Sequence, residues 1–514
     1  MESNTSQITG RERTTLLIAV LVIAVCALTY ELIIATLSSY LLGDSITQFS
    51  FTIGFFLFAM GIGSLMSRNI KRHTLRWFII VELCVALFGG TSAVLLYAVF
   101  STLDMYYYAV MIAISLAIGI CVGLEIPLLT RIVADRNDLS EALADVLSID
   151  YLGALIGSIA FPVILLPLLG VTQTAFLMGL LNIFVGLMVL RVFRYKLTPK
   201  WSTRLWILGG SVAGIMIIGS LFSTNLTRVL EQQLYNSNII YTEQTPYQRL
   251  VMTARGDDYR LFINGNIQFS TLDEYRYHEM LVHPVMNASR SRERVLILGG
   301  GDGFVAREVL KYEDVQEIVI VDLDPAITDL ARNFAVMERF NGDSLDDERL
   351  TIFNEDAFTF IQDGTDLYNV IIIDLPDPNN ENLSKLYSDS FYRLLARRLS
   401  PDGAFVTQAT SPYFARRSFW TINTTIQSAE FDTLPLHTHV PTFGEWGFII
   451  GTPLATPSID LPSTLELRYL TAEVFASAQY FDPDLAYSDE FDNINTLDNP
   501  ILPRFYEQDW RRWN

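Results

Sequence analysis

Cysteine and histidine are scarce in this chain of 514 residues, which contains three of the former and five of the latter. Cys26, Cys84 and Cys121 all fall in apolar segments of the first half, at spacings that match neither a metal-binding motif nor a disulfide framework. The acidic and imidazole side chains form no cluster with the spacing of metal ligands. The sequence therefore predicts no metal site and excludes a disulfide-rich scaffold.

Basic residues are outnumbered by acidic residues only in the second half. The first 224 residues carry 13 Lys and Arg against 12 Asp and Glu, whereas the remainder carries 23 against 44. Such an excess of negative charge repels nucleic acid and attracts cations. We therefore expect a cationic small-molecule partner and no nucleic acid.

Long apolar runs are abundant in the first half, where seven stretches are long enough to cross a bilayer core of about 30 Å. They are 16–42, 49–66, 77–100, 106–128, 151–169, 174–192 and 205–222. The first is too long, and too closely followed by others, to be a cleaved signal peptide. Residues 1–224 are thus predicted to form an all-α domain of seven transmembrane helices, with the polar stretch 131–145 as a further helix on the membrane surface.

Lys and Arg occupy alternate loops between these stretches, which places the amino terminus in the cytoplasm by the positive-inside rule. We therefore expect a multi-pass protein of the cell (inner) membrane, with the lipid bilayer as a partner. An odd number of spans would put the second half outside the cell, where the nucleoside chemistry described below lacks its usual ligand. The side on which the second half lies is therefore left open.

Three glutamates, Glu31, Glu82 and Glu125, lie inside predicted spans, where an ionised carboxylate is costly unless it is paired or hydrated. They suggest a route or binding site for a cation. The alternative is structural, since Glu82 and Glu125 lie near span ends and within reach of headgroups. In its neutral form, Glu31 would hydrogen-bond a neighbouring helix.

The pattern changes after the last apolar stretch. In residues 225–290, short strands alternate with turns, and Asn264-Gly265 between two of them is a strong hairpin signal. This segment is predicted to be a small antiparallel β unit followed by a helix over 273–286. Strands and helices then alternate over 291–455, which predicts a Rossmann-like, mainly parallel sheet of the class I methyltransferase type. An acidic, aromatic tail over 456–514 follows, with a helix at 463–478 and an ending, FYEQDWRRWN, that covers either the site or the membrane surface.

The segment 294–324, RVLILGGGDGFVAREVLKYEDVQEIVIVDLD, contains a buried strand, a glycine loop, a helix and a second strand that ends in acid. Glycines let the backbone approach a ligand, and an acid about 20 residues later is placed to hold ribose hydroxyls. No Lys or Arg lies in the loop, which argues against a nucleoside triphosphate. A sulfonium nucleoside would use Asp322 for its ribose, Asp356 for its adenine and Asp302 for its tail amine. The full set of predicted nucleoside contacts in this domain is Gly299, Gly301, Asp302, Gly303, Asp322, Glu355 and Asp356.

Further polar residues follow the next strands and make an acidic pocket beside the reacting carbon, with Asp374, Asp377, Tyr387 and Gln408 as members. An aliphatic amine with a pKa near 10 arrives protonated, so a carboxylate must accept its proton before the amine attacks. Asp374 is predicted to be that base.

Six segments between residues 239 and 452 resemble the spermidine synthases, the polyamine aminopropyltransferases: TPYQRL, NGNIQFSTLDEYRYHEMLVHP, VLILGGGDGFVAREVLK, VDLDP, EDAFTFI and IDLPDP. The resemblance implies transfer of the aminopropyl group of decarboxylated S-adenosylmethionine to an amine, in the commonest case putrescine to give spermidine, with release of methylthioadenosine. The sulfonium nucleoside is then a co-substrate, and no cofactor is permanently bound. The resemblance places Tyr277 beside Asp374 in catalysis and adds Gln248 to the nucleoside contacts. It implies an amine side formed by His278, Asp377, Gln408 and Phe443, and a homodimer as one arrangement of the chain.

The sequence departs from the family pattern at two places in the amine pocket. Where the family commonly has Asp-Ser-Ser-Asp-Pro, residues 374–378 are Asp-Leu-Pro-Asp-Pro, and typical members place a tyrosine at the position of Phe443. The fusion to seven spans resembles a membrane-bound branch of the family. Together with these changes it leaves open, beside putrescine, an acceptor that is larger, lipid-associated or delivered through the membrane. Two alternatives stay open: a S-adenosylmethionine-dependent methyltransferase, and a polyamine transporter or sensor whose synthase-like domain is not catalytic.

Overall fold

The computed structural model describes residues 9–42, 45–134, 139–235, 237–454, 459–461 and 465–513. The chain divides into two compact units, Met1–Gln248 and Arg249–Asn514. The described part of the first unit is helical up to a single strand near its end, and the second unit mixes strands with helices. The boundary between the units falls inside the segment predicted as 225–290.

The elements of the first unit follow the apolar stretches of the sequence. They are α1 Gly10–Leu42, α2 Ser45–Met66, α3 Thr74–Leu103, α4 Tyr107–Val133, α5 Leu139–Ala160, α6 Leu166–Val192, α7 Pro199–Tyr235 and strand β1 Asn238–Gln244. Within the described ranges, six helices are long and apolar enough to cross a membrane. One of them is a continuous run of 53 residues, Ser140–Val192, that contains both the fifth and the sixth predicted spans. Gly170 interrupts its helical geometry with a φ of 70°, so the structure has six such helices where the sequence predicts seven.

The separate surface helix predicted for residues 131–145 is wrong for the part of this segment that the structure describes. Arg131 lies in the last turn of α4, where its guanidinium donates to the carbonyl oxygens of Ser67 and Ile70 at 2.9 and 2.8 Å. Residues 135–138 lie outside the described residues, and α5 already begins at Leu139. Leu139 and Leu143, spaced four residues apart, therefore lie in the first turns of the long helix α5.

Glycines let α2 and α4 pack closely. A Cβ at Gly63 would lie 2.1 Å from the carbonyl oxygen of Ile120, and a Cβ at Gly123 would lie 2.1 Å from that of Met60. Small residues at helix crossings are typical of helices that pack inside a membrane, where backbone proximity replaces the hydrophobic drive of water.

The three glutamates of the apolar helices are all buried. Glu31 on α1 is 9% exposed, and Glu82 on α3 and Glu125 on α4 are 0% and 1% exposed. The carboxyl groups of Glu82 and Glu125 adjoin. The structural alternative in which these two reach headgroups is therefore wrong, because their side chains face other helices.

The second unit begins with a small antiparallel sheet of β2 Arg249–Arg255, β3 Asp258–Ile263 and β4 Asn266–Ser270. Asn264 and Gly265 form the turn between β3 and β4 with φ values of 49° and 82°, so the predicted hairpin is confirmed. Helix α8, Glu274–Ala288, then leads to the main sheet.

The main sheet has seven strands in the order β10-β11-β9-β8-β5-β6-β7. They are β5 Arg294–Gly299, β6 Glu317–Val321, β7 Leu350–Phe353, β8 Tyr368–Asp374, β9 Leu399–Gln408, β10 Asp432–Val440 and β11 Gly444–Thr452. The strands from β5 to β9 pair in parallel, and β10 and β11 join at one edge in antiparallel pairing. Val295–Leu298 of β5 is fully buried, as a central strand covered on both faces must be. The predicted mainly parallel sheet is confirmed.

The described helices that follow α8 are α9 Phe304–Val309, α10 Pro325–Asn333, α11 Ala335–Asn341, α12 Ala357–Asp363, α13 Glu381–Ser384, α14 Asp389–Ala396, α15 Arg416–Ser428, α16 Ala472–Ser477 and α17 Leu502–Trp510. Helices α10 and α11 are separated only by Phe334, which has an extended backbone. The described part of 463–478 becomes helical only after Thr471, whose side chain caps the first turn of α16. Helix α17 was not predicted.

Candidate active site

The glycine loop, Asp322 and Asp374 lie where the strand order of the main sheet reverses. Strand β5 lies between β6 and β8, and the chain leaves it toward β6 before returning to β8 on its other side. Ligands of open α/β sheets bind outside the carboxyl ends of the strands at such a switch point. Gly299 at the end of β5 pairs in register with Asp374 at the end of β8, so the glycine loop and the predicted base are direct neighbours.

The glycine loop needs its glycines for conformation and for space. Gly299, Gly300 and Gly303 have φ values of 82°, 64° and 86°, which side-chain-bearing residues rarely adopt. A Cβ on Gly299 would lie 2.0 Å from the carbonyl oxygen of Asp374. The loop can therefore pass the end of β8 only because residue 299 lacks a side chain.

Asp322, at the end of β6, holds this loop from the other side. Its carboxylate accepts from the backbone N–H groups of Gly301 and Asp324, each at 3.1 Å. Burial raises the pKa of Asp322 to about 6, although those two hydrogen bonds favour the charged form. A ligand that donates hydroxyl hydrogens to this carboxylate would offset part of the cost of burying its charge.

Asp302 lies within the loop and accepts from the backbone N–H of Phe304 at 3.1 Å. Burial raises its pKa to about 6 against the attraction of His278. This carboxylate is therefore a buried negative charge with one oxygen committed to the backbone, which suits a cationic group of a ligand.

Asp374 has one strong partner, the hydroxyl of Tyr277, which donates to its Oδ1 at 2.6 Å. Burial raises the pKa of Asp374, while His278 and the Tyr277 hydroxyl act in the opposite direction. A carboxylate with a raised pKa is a better proton acceptor near neutral pH than an exposed one. The tyrosine itself stays neutral, because burial raises its pKa further above its ordinary value.

His278 supports this pair from α8. Its Nδ1 shares a hydrogen bond of 2.8 Å with Glu274, whose carboxylate also accepts from Arg307 at 2.9 and 3.1 Å. Burial would lower the pKa of His278, but the hydrogen bond and charge of Glu274 outweigh it and the pKa is raised. The raised pKa favours the positively charged form of the imidazole beside the acids, whereas the sequence predicted His278 only as an amine contact.

Asp377 and Gln408 form the predicted acidic pocket together with two residues that were not predicted. Gln408 Nε2 donates to Asp377 Oδ1 at 3.2 Å, and the hydroxyls of Thr410 and Tyr506 donate to Asp377 Oδ2 at 3.2 and 2.9 Å. Burial raises the pKa of Asp377 to about 6 despite these three donors. Thr410 has a φ of 57°, and only the fold reveals that it faces this carboxylate.

Phe443 lies in the turn before β11 and packs edge-on against Tyr277, with ring centroids 5.9 Å apart. It also contacts Trp446, at 5.0 Å between centroids. Phe443 therefore lies beside Tyr277, where its ring offers an apolar wall and no side-chain hydrogen bond.

Three predicted nucleoside contacts, Asp356, Glu355 and Gln248, lie outside the group formed by the glycine loop, Asp322 and Asp374. Asp356 caps α12 by accepting from the N–H groups of Phe358 and Thr359, and its other oxygen forms an ion pair of 2.7 Å with Lys385. Glu355 is exposed at the end of β7. Gln248 is the last residue of the first unit, where its backbone oxygen accepts from Thr245 N at 2.9 Å. Lys385 belongs to no recognisable sequence motif, so its ion pair with Asp356 was not predicted from the sequence.

Across the described residues, no group of three or more His, Cys, Asp or Glu side chains is arranged to hold a metal ion. The acids of the site instead bind backbone N–H groups, hydroxyls and an amide. The arrangement offers negative charge and hydrogen-bond acceptors to a ligand that is cationic and rich in donors.

Several known proteins with similar sequences are named for the same activity. Residues 274–461 match the spermine/spermidine synthase domain. Polyamine aminopropyltransferase of Leptospira interrogans is 41% identical over 505 residues, which cover 97% of this chain and 99% of that protein. Polyamine aminopropyltransferase 2 of Ralstonia nicotianae is 43% identical over 508 residues, with coverage of 98% and 99%. A crystal structure of spermidine synthase in complex with the transition state analogue AdoDATO aligns at 25% identity and a TM-score of 0.44, over 48% of this chain and 85% of that one.

The matched domain, with its glycine loop and acidic rim, defines this protein as one of the spermine/spermidine synthase class. The relatives match almost the whole chain, including the apolar helices, at about 40% identity. The chain therefore belongs to the polyamine aminopropyltransferases and is an enzyme that transfers an alkyl group other than methyl. The family inferred from the sequence motifs is confirmed.

Proposed function

We propose that this protein is a membrane-anchored aminopropyltransferase that moves the aminopropyl group of decarboxylated S-adenosylmethionine to a polyamine acceptor, with putrescine as the first candidate. The observation that carries the proposal is the contact between Asp374 and Tyr277 at the end of β8, beside the glycine loop. In this proposal Asp302, Asp322 and Asp356 bind the nucleoside, together with Gly299, Gly301, Gly303, Glu355 and Gln248. The acceptor binds at His278, Asp377, Gln408 and Phe443.

The reaction is an in-line displacement at carbon. Asp374 accepts a proton from the acceptor ammonium, and the freed nitrogen lone pair attacks the propyl carbon bonded to the sulfonium sulfur. The carbon–sulfur bond breaks with its electron pair going to sulfur, so methylthioadenosine leaves as a neutral molecule. The new carbon–nitrogen bond leaves the positive charge on the product amine. Tyr277 holds the carboxylate of Asp374 in place, and orientation of the two substrates supplies much of the rate enhancement.

Product analysis with the purified full-length chain tests this function. Decarboxylated S-adenosylmethionine is incubated with a series of amines of increasing length, and methylthioadenosine is measured. We expect release with at least one amine, and the length dependence identifies the acceptor. A parallel reaction with S-adenosylmethionine tests the methyltransferase alternative. Formation of S-adenosylhomocysteine there, without methylthioadenosine in any amine reaction, would overturn the proposal.

We further propose that the first unit anchors the enzyme in the cell membrane with a cytoplasmic amino terminus. The charge pattern favours seven crossings, with Gly170 dividing the 53-residue run Ser140–Val192 into two spans. Seven crossings place the second unit outside the cytoplasm, whereas a single crossing by that run places it inside. Labelling of a cysteine introduced in an exposed loop of the second unit, with a membrane-impermeant maleimide on intact cells, distinguishes these arrangements. If the introduced cysteine is labelled, the arrangement with six crossings is contradicted. If it is protected, the arrangement with seven crossings is contradicted.

A second candidate function is amine binding by the helical unit, in line with the transporter or sensor alternative. It is favoured by Glu82 and Glu125, whose four buried carboxyl oxygens lack well-formed hydrogen bonds within the described residues. Both amide atoms of buried Asn182 on α6 also lack a partner there. Two acids and an amide oxygen offer acceptors to a protonated amine, and an intramembrane acid is by default a candidate functional group.

Equilibrium binding of labelled putrescine to the full chain tests this second function. The E82Q/E125Q variant should bind one amine fewer per chain than the parent, with methylthioadenosine release retained at saturating acceptor. The exposed Glu141 on α5 supplies the control variant E141Q. Equal stoichiometry in all three monodisperse proteins rules out an amine site at Glu82 and Glu125.

A further inference from the structure

The acidic pocket contains a side chain that comes from far outside the matched synthase domain. That domain ends at residue 461, and Tyr506 lies on α17, in the acidic, aromatic tail. Its hydroxyl donates to Asp377 Oδ2 at 2.9 Å, the shortest of the three hydrogen bonds that this carboxylate accepts in the described part of the chain. Burial raises the pKa of Tyr506 above its ordinary value, so the hydroxyl remains a donor across the physiological pH range.

Helix α17 is fixed against the main sheet unit by both charge and ring contacts. Asp509 accepts from Arg417 on α15 through Nε and Nη2, at 2.8 and 2.6 Å, and the Asp509 side chain is only 5% exposed. At the next residue, the ring of Trp510 stacks on Phe414 with centroids 5.0 Å apart and an angle of 25° between the planes. The position of Tyr506 is therefore imposed by its own helix and does not depend on a ligand.

The approach to α17 is held as firmly. Asn495 is fully buried and its amide donates to the carbonyl oxygens of Ser384 and Tyr387 at 2.9 and 3.1 Å. Tyr387 in turn accepts from Gln408 at 2.7 Å, which is itself a donor to Asp377. The tail thus contacts the acidic pocket along two routes, directly through Tyr506 and indirectly through the segment that carries Tyr387.

The donors divide unevenly between the two oxygens of Asp377. Thr410 and Tyr506 both donate to Oδ2, while Gln408 alone donates to Oδ1. A carboxylate oxygen accepts about two hydrogen bonds, so Oδ2 is saturated and Oδ1 has one acceptor position left. Phe443, on the same side of the site, has no hydroxyl with which to satisfy a ligand.

We propose that Tyr506 is a specificity-determining residue of the acceptor site, because it saturates Asp377 Oδ2 and so leaves Oδ1 to bind one ammonium group of the acceptor amine. This inference rests on the proposed function, since it takes Asp377 to face the acceptor. It extends the site beyond the synthase domain to the carboxyl-terminal tail. The recognised group is an alkylammonium that donates a single hydrogen bond to Oδ1, at the end of the acceptor away from the attacking nitrogen.

The Y506F variant tests the inference, because it removes one hydroxyl and keeps the ring contact with Trp510. With one of the two Oδ2 donors lost, the carboxylate is held less firmly and its pKa rises further, since the Tyr506 hydrogen bond favours the charged form. We expect the KM for the acceptor to rise about tenfold, as for the loss of about 1.4 kcal/mol of binding free energy. The KM for the nucleoside should stay within twofold of the parent value. The acid limb of kcat/KM for the acceptor should move to higher pH.

Tyr413 supplies a matched control. Its ring belongs to the same aromatic cluster, 5.0 Å from Trp513, and it is 42% exposed. Y413F should therefore leave both KM values and the pH profile unchanged. Unchanged acceptor KM and pH profile in Y506F, with an active parent enzyme, would overturn the role of Tyr506. An equal rise in both KM values would do the same, since it indicates general loosening of the domain. No methylthioadenosine from the parent enzyme would instead reject the proposed function itself.

Discussion

The two sides of the candidate active site, the proposed nucleoside side and the proposed acceptor side, are built in different ways. The nucleoside side consists of the glycine loop and Asp322, which lie within one stretch of about thirty residues and bind each other through backbone N–H groups. The acceptor side consists of Tyr277, Asp374, Asp377, Gln408 and Tyr506, which come from one helix, two strand ends and the tail. A contiguous motif thus forms the nucleoside-binding part of the site, which is shared among nucleoside-binding folds. Side chains from distant parts of the chain form the part that selects the acceptor.

This difference gives each side its own sensitivity to substitution. Side chains on the nucleoside side are bound to the main chain, so a change there acts on ligand affinity and on the loop together. On the acceptor side the carboxylates of Asp374 and Asp377 contact other side chains, so one hydroxyl or carboxyl can be altered there with little effect on the backbone. Substitutions should therefore separate the two sides in kinetic measurements.

The largest effect is expected from D374N, which removes the base and keeps a side chain of the same shape. The hydroxyl of Tyr277 still finds an acceptor, so the structure should persist, but the amide cannot accept a proton from the acceptor amine. We expect kcat to fall by about 100- to 10,000-fold, the usual contribution of a general base. Nucleoside affinity, measured by calorimetry, should stay near that of the parent. A parallel loss of nucleoside affinity would contradict the separation of the two sides.

A smaller effect, opposite in kind, is expected from D302N. The amide oxygen can still accept from Phe304 N, so the loop is retained while the negative charge is lost. Loss of a charge-assisted hydrogen bond of about 1.5–3 kcal/mol predicts a rise of roughly 10- to 100-fold in the KM for the nucleoside. The KM for the acceptor should change little. A larger effect on the acceptor KM would assign Asp302 to the acceptor side.

The dependence on pH should be shared by both sides. Burial raises the pKa of Asp302, Asp322 and Asp377 to about 6, so each carboxylate is charged above that pH and becomes neutral as the pH falls through it. Both substrates are cationic in the proposed reaction, so their binding weakens in the neutral form. We expect kcat/KM for each substrate to have an acid limb near pH 6, well above the ordinary aspartate value of about 4. An acid limb at pH 4 for either substrate would show that its carboxylates are not the ones identified.

The smallest effect is expected from K385M. Lys385 and Asp356 are each about one-third exposed, with side-chain values of 35% and 34%, and such ion pairs contribute about 0–1 kcal/mol. The variant leaves Asp356 bound to the two N–H groups of α12. We expect the nucleoside KM to change by less than about fivefold, with thermal stability nearly unchanged. A change as large as that in D302N would make Lys385 a direct nucleoside contact.

The same contrast explains which parts of the structure could be predicted from the sequence. Strand β5, the glycine loop and β6 were predicted within a residue, because buried strands and glycine turns are encoded locally. The pairing of Tyr277 with Asp374 came from family resemblance and was found in the structure. Tyr506 and Thr410 were missed, because their contact with Asp377 depends on chain segments more than 30 residues apart in sequence and on a positive φ at a threonine. In the helical unit, hydropathy gave the apolar runs but not the continuity of Ser140–Val192.

The close approach of Gly299 to Asp374 has a consequence for engineering new acceptor specificity. Because no side chain fits between residue 299 and the backbone carbonyl oxygen of residue 374, residue 299 must stay glycine whatever side chain residue 374 carries. A directed-evolution library is therefore best confined to Asp377, Gln408, Phe443 and Tyr506, with positions 299 and 374 kept constant. Substitutions at those four positions would change which amine is accepted and would leave the geometry of the displacement reaction unchanged.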